Sequence, residues 1–424
     1  MSAKRYRISP NTSTARMIDL PASKSISHRI CILAGLNRGR TQIRSMLQSQ
    51  DTAITLTALA AMGMKAEQND AGLFCSAPIG TVQQEKVFLG NSGSSARFLL
   101  PLPAFTDRPV HFYGDERLHQ RPFADMFGAL SALGIKVEGQ DYALPATVFP
   151  GSVRGGEIRF RDLPSSQIVT ALMMAGLWME KDLTIRLQEN IPSLPYIDMT
   201  YHLMRHLNLP VNHLDDCIEV KAQTPDFEWD FTVEKDLSAA SYWVVYALIN
   251  RCRVALSNLT LPSLQGDEKI FAIAEKTGAR VMLFQDRVEI EGWISRGFSV
   301  NCKDTPDLVP ALAVLGMFTP TAVELHGVEN LRFKESDRIA AIQHNIHLLG
   351  GRSEYHRDCL KIYPQKRYRG NLLSSFNDHR IAMSFAVAGT RIPEVVIENP
   401  DCVGKSYPGF WDDLGLWEDV ERGA

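Results

Sequence analysis

The stretch Leu20-Pro-Ala-Ser-Lys24-Ser25-Ile-Ser27-His28-Arg29 sets two cations beside the start of an apolar run, Ile30-Cys-Ile-Leu-Ala34. Ser25 and Ser27 are suited to cap a helix, and Ile26, Ile30 and Leu33 recur at helical spacing, so a helix is expected to start here. A helix start already carries partial positive charge, which makes Lys24 and Arg29 unfavourable there unless something negative lies between them. Hydroxyls, backbone N–H groups and a cation converging on one helix end form a site for phosphate or carboxylate. The bland alternative is a lysine reaching to water beside an ordinary serine cap. It loses weight because the arrangement recurs.

Arg97 follows the Asn91-Ser-Gly-Ser-Ser95 turn, Lys334 and Arg338 bracket Lys334-Glu-Ser-Asp-Arg338, and Arg380 follows Asp378-His379. Arg121 stands in Gln-Arg-Pro-Phe and Lys405 in Val-Gly-Lys-Ser-Tyr. Any one of these cations alone could be a solvated surface residue. Together they suit a ligand with two or three negative groups, since arginine grips carboxylate and phosphate with two parallel hydrogen bonds. Gly93 would let such a ligand approach the backbone closely, with Asn91 and Ser94 in the same turn. The turn has neither the Lys-Ser/Thr ending of a Walker A loop nor the Gly spacing of a dinucleotide fingerprint, so nucleotide binding is unsupported. Ser165-Ser166-Gln167 is a third polar helix start, equally readable as plain N-capping. Among the acids, Asp307 lies at one such turn and Glu335 between Lys334 and Arg338. Nearby cations favour the ionised form and hence a base, whereas an acid would need burial or an adjacent anion. Both could instead simply hold Lys and Arg side chains in place.

The elements that must position these groups repeat. A polar turn entering an apolar, Ala-rich helix appears at Lys24-Ser25, Asn91–Ser95, Pro164–Gln167, Lys235–Ser238, Thr305–Asp307 and Asn377–His379, roughly every 70 residues, longer than solenoid repeats. A helix-like segment closed by Gly, or once Asn, appears at Gly63, Gly134, Asn208, Gly278, Gly350 and Gly415, residue types that tolerate the left-handed conformation ending a helix. Between the two marks lie strand-like runs at Thr41–Ile43, Val110–Phe112, Thr184–Leu187, Arg253–Leu256, Ala322–Leu325 and Val395–Ile397. The chain therefore reads as an α/β unit written six times. Six units exceed one core, so three and three is the natural division, with joints at Ile18–Pro21 and Phe231–Lys235. If the N-terminal strand pairs with the second half, the chain crosses between lobes twice, and a cleft between them could close on a ligand.

Composition narrows the classes. The 424 residues are 45% hydrophobic and 22% charged with a net charge of −3, which fits a globular protein and gives no electrostatic support for nucleic-acid or anionic-membrane binding. The charged N-terminal stretch lacks the apolar core of a signal peptide, and Ile168–Met179 is too short to span a bilayer. The seven cysteines are scattered without a Cys-x-x-Cys pair, which excludes the usual zinc patterns and fits a reducing compartment. A soluble, unexported protein is expected.

Taken together, Pro21–Arg29, Gly90-Asn-Ser-Gly-Ser-Ser-Ala-Arg97, Gln120-Arg-Pro122, Ser165-Ser-Gln167, Pro195-Tyr-Ile-Asp198, Pro306-Asp307, Lys334–Arg338, Asn377-Asp-His-Arg380 and Lys405-Ser-Tyr-Pro408 resemble the 5-enolpyruvylshikimate-3-phosphate (EPSP) synthase family across essentially the whole chain. The resemblance implies a two-domain, inside-out α/β barrel of six βαβαββ units, three per domain around a pseudo-threefold axis. Residues 20–233 would form one lobe and 1–19 with 234–424 the other, with the active site in the interdomain cleft. It implies transfer of the enolpyruvyl group of phosphoenolpyruvate to the 5-hydroxyl of shikimate 3-phosphate. Shikimate 3-phosphate would be held by Lys24, Ser25, Arg29, Ser165, Ser166, Gln167, Ser193, Tyr196, Asp307, Asn330 and Lys334. Phosphoenolpyruvate would be held by Lys24, Asn91, Gly93, Ser94, Arg121, Gln167, Arg338, His379, Arg380 and Lys405. Glu335 would be the acid toward the methylene carbon, Asp307 the base for the hydroxyl, and Lys24 a charge stabiliser that shares in proton transfer. No metal or organic cofactor is implied, and the family likeness points to a cytoplasmic monomer.

Positions 92 and 94 are Ser where the common family form has Ala and Thr, and Phe98 stands where Pro is frequent. These departures put glyphosate sensitivity in doubt, not the reaction. A related family, UDP-N-acetylglucosamine enolpyruvyl transferase, uses Lys-Asn in place of Lys24-Ser25 and commonly a reactive Cys in the loop matching Gly114–Arg121, where this chain has none. A non-catalytic anion-binding relative would be expected to have lost an acid or base, yet Lys24, Asp307 and Glu335 are all present.

Overall fold

The computed structural model describes residues 4–188 and 191–420. Among them are six four-stranded sheets of one pattern, a parallel pair followed by two antiparallel neighbours. The six strand-like runs of the sequence lie at Thr41–Arg44, Val110–Tyr113, Leu183–Leu187, Arg253–Ser257, Val323–His326 and Val395–Glu398, each in the second place of its sheet. Parallel neighbours cannot be joined by a hairpin, so a helix must cross between them. In one repeat the strand Lys86–Phe88 leads through the helix Gly93–Leu99 to its parallel partner Val110–Tyr113.

Two opening strands are exchanged. Ala15–Asp19 precedes the helix Lys24–Leu36 yet pairs with Arg253–Ser257, and Trp229–Thr232 precedes the helix Leu237–Asn250 yet pairs with Thr41–Arg44. Arg5–Ile8 joins the last sheet between Val395–Glu398 and Trp417–Asp419. The chain accordingly divides into two compact units, one of Met1–Pro21 with Lys235–Ala424 and one of Ala22–Glu234. Backbone bonds secure both crossings within their own units: Ser23 N–H donates to Glu234 O (2.7 Å) and Asp236 N–H to Pro21 O (2.8 Å).

Within each unit the crossover helices lie inside and the sheets outside. Every residue of Val309–Met317 and His379–Gly389 is buried, as are all but one of Leu237–Asn250, and these three helices touch pairwise. A helix that is apolar all round has to be a core element. In the other unit Lys24–Leu36 and Gln167–Ala175 are similarly buried. The strands alternate instead, as in Arg5–Ile8 and Val323–His326, which covers one sheet face only. The second helix of each repeat ends as its sequence requires: Gly63, Gly134, Asn208, Gly278, Gly350 and Gly415 all have positive φ. No helix among the described residues is long and apolar enough to cross a membrane.

The first helix starts earlier than the Ser25 and Ser27 reading expects. Ser23 is its cap, with extended backbone (φ −62°, ψ 119°) and Oγ accepting from Ile26 N–H (3.4 Å). The backbone tie to Glu234 holds Ser23 in that extended state, which leaves Ser25 and Ser27 inside the helix. At the third polar start, Ser165 Oγ accepts from Gln167 N–H (3.3 Å), while Ser166 makes no side-chain cap.

Candidate active site

The candidate residues fall into two groups, one in each unit. In Ala22–Glu234, Lys24 is the first residue of its helix and is buried, with Nζ 3.6 Å from Asp51 at the start of the helix Gln50–Ala61. Arg29, one turn and a half on, is 2% exposed. Its guanidinium donates to Thr200 Oγ1 (2.8 Å), Ser25 O (2.8 Å), Tyr196 O (2.9 Å) and more distantly Thr170 Oγ1 (3.4 Å), all neutral oxygens. Burial pulls its pKa down to about 10, with Tyr196 opposing. A buried cation held by neutral dipoles is one that an incoming anion would stabilise.

The Gly93 turn is built around two more guanidinium groups. Arg97 donates to Gln167 Oε1 (2.9 Å) and Pro122 O (3.1 Å), and Gln167 Nε2 donates to Ser94 Oγ (2.8 Å). Arg121 is buried, and Gly93 lies so near it that a Cβ there would meet the guanidinium. Asn91 is half-buried two residues before Gly93. Ser165, half-buried, also reaches Gln167 Oε1 (3.5 Å), next to buried Ser166. Ser193 opens the helix Leu194–His206 in the left-handed region (φ 61°, ψ 41°), an uncommon state for serine, and its side chain makes no capping hydrogen bond. Tyr196 follows in the first turn of that helix. Gly93, Ser94, Arg121, Gln167 and Arg97 thus form one cluster, and Lys24, Arg29, Ser25 and Tyr196 share the helix Lys24–Leu36 or touch it.

In the other unit the centre is Arg338, 1% exposed. Its Nε donates to Asp378 (2.8 Å), Nη1 to Asp307 (2.8 Å) and Nη2 to Glu335 (2.8 Å), so one guanidinium serves three carboxylates. Burial works against its charge, but Asp378, Glu335 and Asp307 outweigh it and hold the pKa above its ordinary value. Asp307 bridges onward to Arg380 Nη2 (2.6 Å), and Arg380 Nη1 reaches Tyr242 Oη (3.4 Å). Asp378 caps the helix His379–Gly389 by accepting from Arg380 N–H (2.9 Å), which fixes His379 and Arg380 in its first turn. His379 is fully buried, with Nδ1 3.7 Å from Asp378. Lys334 and Asn330 are half-buried beside this cluster in sequence, and Lys405 is buried at the end of the turn Pro400–Lys405.

Three participants carry no role in the sequence reading, and a fourth, Arg97, only that of one cation among several. Asp51 pairs with Lys24, Asp378 anchors Arg338, and Tyr242 backs Arg380. Arg97 is visible there as a cation at a helix start, but only its bond to Gln167 ties it to the cluster. Capping position could have flagged Asp378, which follows Asn377 immediately before an apolar helix. Nothing local marks Asp51 or Tyr242, whose partners are distant in sequence.

Two units of three α/β repeats, with cations at buried helix starts and three carboxylates gathered on one guanidinium, define an α/β protein with buried charge clusters suited to anionic ligands. The family model of EPSP synthase (3-phosphoshikimate 1-carboxyvinyltransferase) matches residues 9–414. A protein of Serratia proteamaculans named 3-phosphoshikimate 1-carboxyvinyltransferase is 31% identical over 409 residues, covering 94% of this chain and 95% of its own. One of the same name from Methanospirillum hungatei is 31% identical over 411 residues, again covering 94% and 95%. The structure of EPSP synthase from Acinetobacter baumannii superposes with a TM-score of 0.79 at 22% identity, covering 99% of this chain and 100% of that one, a likeness of fold. The chain belongs to the EPSP synthase family.

Proposed function

We propose that this protein transfers the enolpyruvyl group of phosphoenolpyruvate to the 5-hydroxyl of shikimate 3-phosphate, releasing phosphate. Family membership supports the reaction, and one observation supports the roles: Asp307 and Glu335 both sit 2.8 Å from the Arg338 guanidinium. Two carboxylates anchored to one rigid fork are two proton carriers held at a set spacing.

The chemistry follows from that anchoring. Protonation of the methylene carbon makes C2 of phosphoenolpyruvate electrophilic; the acceptor hydroxyl then attacks C2, and the tetrahedral intermediate loses phosphate together with a proton. An anionic donor approaching Arg338 and Arg380 competes with Glu335 for the Arg338 Nη2 N–H, while Arg380 keeps its bond to Asp307. A Glu335 released from Arg338 and placed beside an anion gains proton affinity and serves as the acid. Asp307, still held by Arg380, stays ionised and takes the hydroxyl proton. Lys24 adds positive charge where the phosphate and the intermediate carry negative charge. Arg121, the Gly93 turn, Gln167 and Lys405 hold the donor, with Asn91, Ser94 and His379 beside it. Ser25, Arg29, Ser165, Ser166, Ser193, Tyr196, Asn330 and Lys334 hold the acceptor. The same reading takes the chain as a cytoplasmic monomer.

Phosphate release tests the reaction, measured with phosphoenolpyruvate plus shikimate 3-phosphate, beside UDP-N-acetylglucosamine as acceptor and an Asp307→Ala control. Release only with shikimate 3-phosphate, lost in the variant, is expected. Release with UDP-N-acetylglucosamine instead would replace the acceptor assignment, and none with either would favour a binding protein.

A further inference from the structure

One polar chain in the Ala22–Glu234 unit belongs to none of the roles above. His28 Nδ1 lies 2.8 Å from Thr55 Oγ1, Thr55 Oγ1 lies 2.8 Å from Ser95 Oγ, and Ser95 Oγ lies 2.7 Å from Ser92 Oγ. All four side chains are buried, with Thr55, Ser92 and Ser95 at 1% exposure or less. They come from three different helix starts or faces: His28 from Lys24–Leu36, Thr55 from Gln50–Ala61, and Ser92 with Ser95 from the cap and first turn of Gly93–Leu99. The hydroxyls of Thr55 and Ser95 also lie 3.4 and 3.3 Å from one acceptor, the carbonyl of Asp51.

The two ends of this chain are the two pieces of the anion site. His28 stands one helical turn after Lys24 on the same face. Ser92 immediately precedes Gly93 and caps its helix by accepting from Ser95 N–H (3.4 Å). In the middle, the residue whose carbonyl lies beside both hydroxyls, Asp51, is the one whose carboxylate faces Lys24 Nζ at 3.6 Å. Buried polar groups lose their water and must keep each partner, so such a chain resists sliding of one helix against the next. A hydroxyl has one proton to donate, and the Asp51 carbonyl gives Thr55 and Ser95 an acceptor outside the row, so the chain can be satisfied whether His28 Nδ1 donates or accepts. Ser92, where the common family form has Ala, is what extends the chain to the turn.

We infer that the His28–Thr55–Ser95–Ser92 chain is a positioning device for the donor: it holds the Gly93 turn at a fixed spacing from Lys24 and Asp51, so that one phosphoenolpyruvate meets both. The inference rests on the assignment of phosphoenolpyruvate to Lys24 and Gly93. None of the four residues needs to touch substrate.

Two substitutions at one position separate hydrogen bonding from packing. Thr55→Val keeps the shape and removes the hydroxyl; Thr55→Ser keeps the hydroxyl and removes a methyl. The expected result is a KM for phosphoenolpyruvate raised about tenfold in Thr55→Val, with the KM for shikimate 3-phosphate and kcat within about twofold of the parent, and parent-like values in Thr55→Ser, a tenfold change being the size expected from one lost buried hydrogen bond. If Thr55→Val does not fold, Ser95→Ala is read in the same way. Equal changes in both KM values, or the same KM for phosphoenolpyruvate in the Val and Ser variants, would overturn the inference and leave the reaction standing. A parent enzyme that releases no phosphate would overturn the functional reading and this inference with it.

Discussion

Gly93 and Arg121 leave no room for a methyl group between them: a Cβ at position 93 would overlap Nη1 of Arg121. The backbone there is helical, so alanine is compatible with the fold and the guanidinium must move instead. Gly93→Ala is therefore expected to raise the KM for phosphoenolpyruvate by about tenfold or more while shifting Tm by about 2 °C or less. Steady-state kinetics with a thermal melt check both halves, and an unchanged KM would take this turn out of the donor site.

Arg338 is both the structural centre of its cluster and a proposed donor ligand. Removing it leaves Asp307, Glu335 and Asp378 facing one another with little exposure, so Arg338→Ala should cost about 3–5 kcal/mol, the range for breaking a buried pair from one side. Arg338→Lys keeps the charge but cannot reproduce three bonds in fixed directions, so it should retain more stability than activity. Urea denaturation beside kcat/KM separates the two effects.

Asp307 and Glu335 have the same anchor but different proposed duties. Asp307→Asn and Glu335→Gln preserve shape and are expected to lower kcat by about 100-fold to 10,000-fold, the usual range for losing a general base or acid. The KM for shikimate 3-phosphate should move far less. A variant within tenfold of the parent kcat would remove that residue from proton transfer.

Asp267 supplies a pH dependence. It is 3% exposed, takes a hydrogen bond from the Ser238 hydroxyl, and is pushed up to about 7, first by burial and then by the neighbouring Asp307 charge. Its folded pKa is above its unfolded one, so the native state binds the extra proton. The associated stability is full below about pH 4 and is lost as pH rises toward 7, at up to about 1.4 kcal/mol per pH unit for one proton. Chemical denaturation from pH 4 to 7.5 should show the parent losing stability relative to Asp267→Asn across that window. Parallel curves would mean that Asp267 is ionised throughout.

How far the site could be read in advance depended on distance along the chain. Lys334, Glu335 and Arg338 were legible as a group because they stand within five consecutive residues, and Glu335 does meet Arg338. Asp51, Asp378 and Tyr242 were not, because each finds its partner across 27, 40 and 138 positions. Ser23, Ser25 and Ser27 are equally good caps by type, and a backbone bond to Glu234 selects Ser23 over the other two.

What the sequence determined alone is the sixfold repeat: the positive-φ closures at Gly63 through Gly415 and the polar helix starts are local demands of backbone geometry and capping, satisfied within a few residues. Tertiary structure alone decided the exchange of Ala15–Asp19 and Trp229–Thr232 between repeats, and the gathering of Asp307 and Asp378 on Arg338. Both need contacts between segments distant in sequence, and any apolar strand of the right length satisfies the local pattern equally well. Only burial and a complete set of hydrogen bonds pick one pairing from the rest.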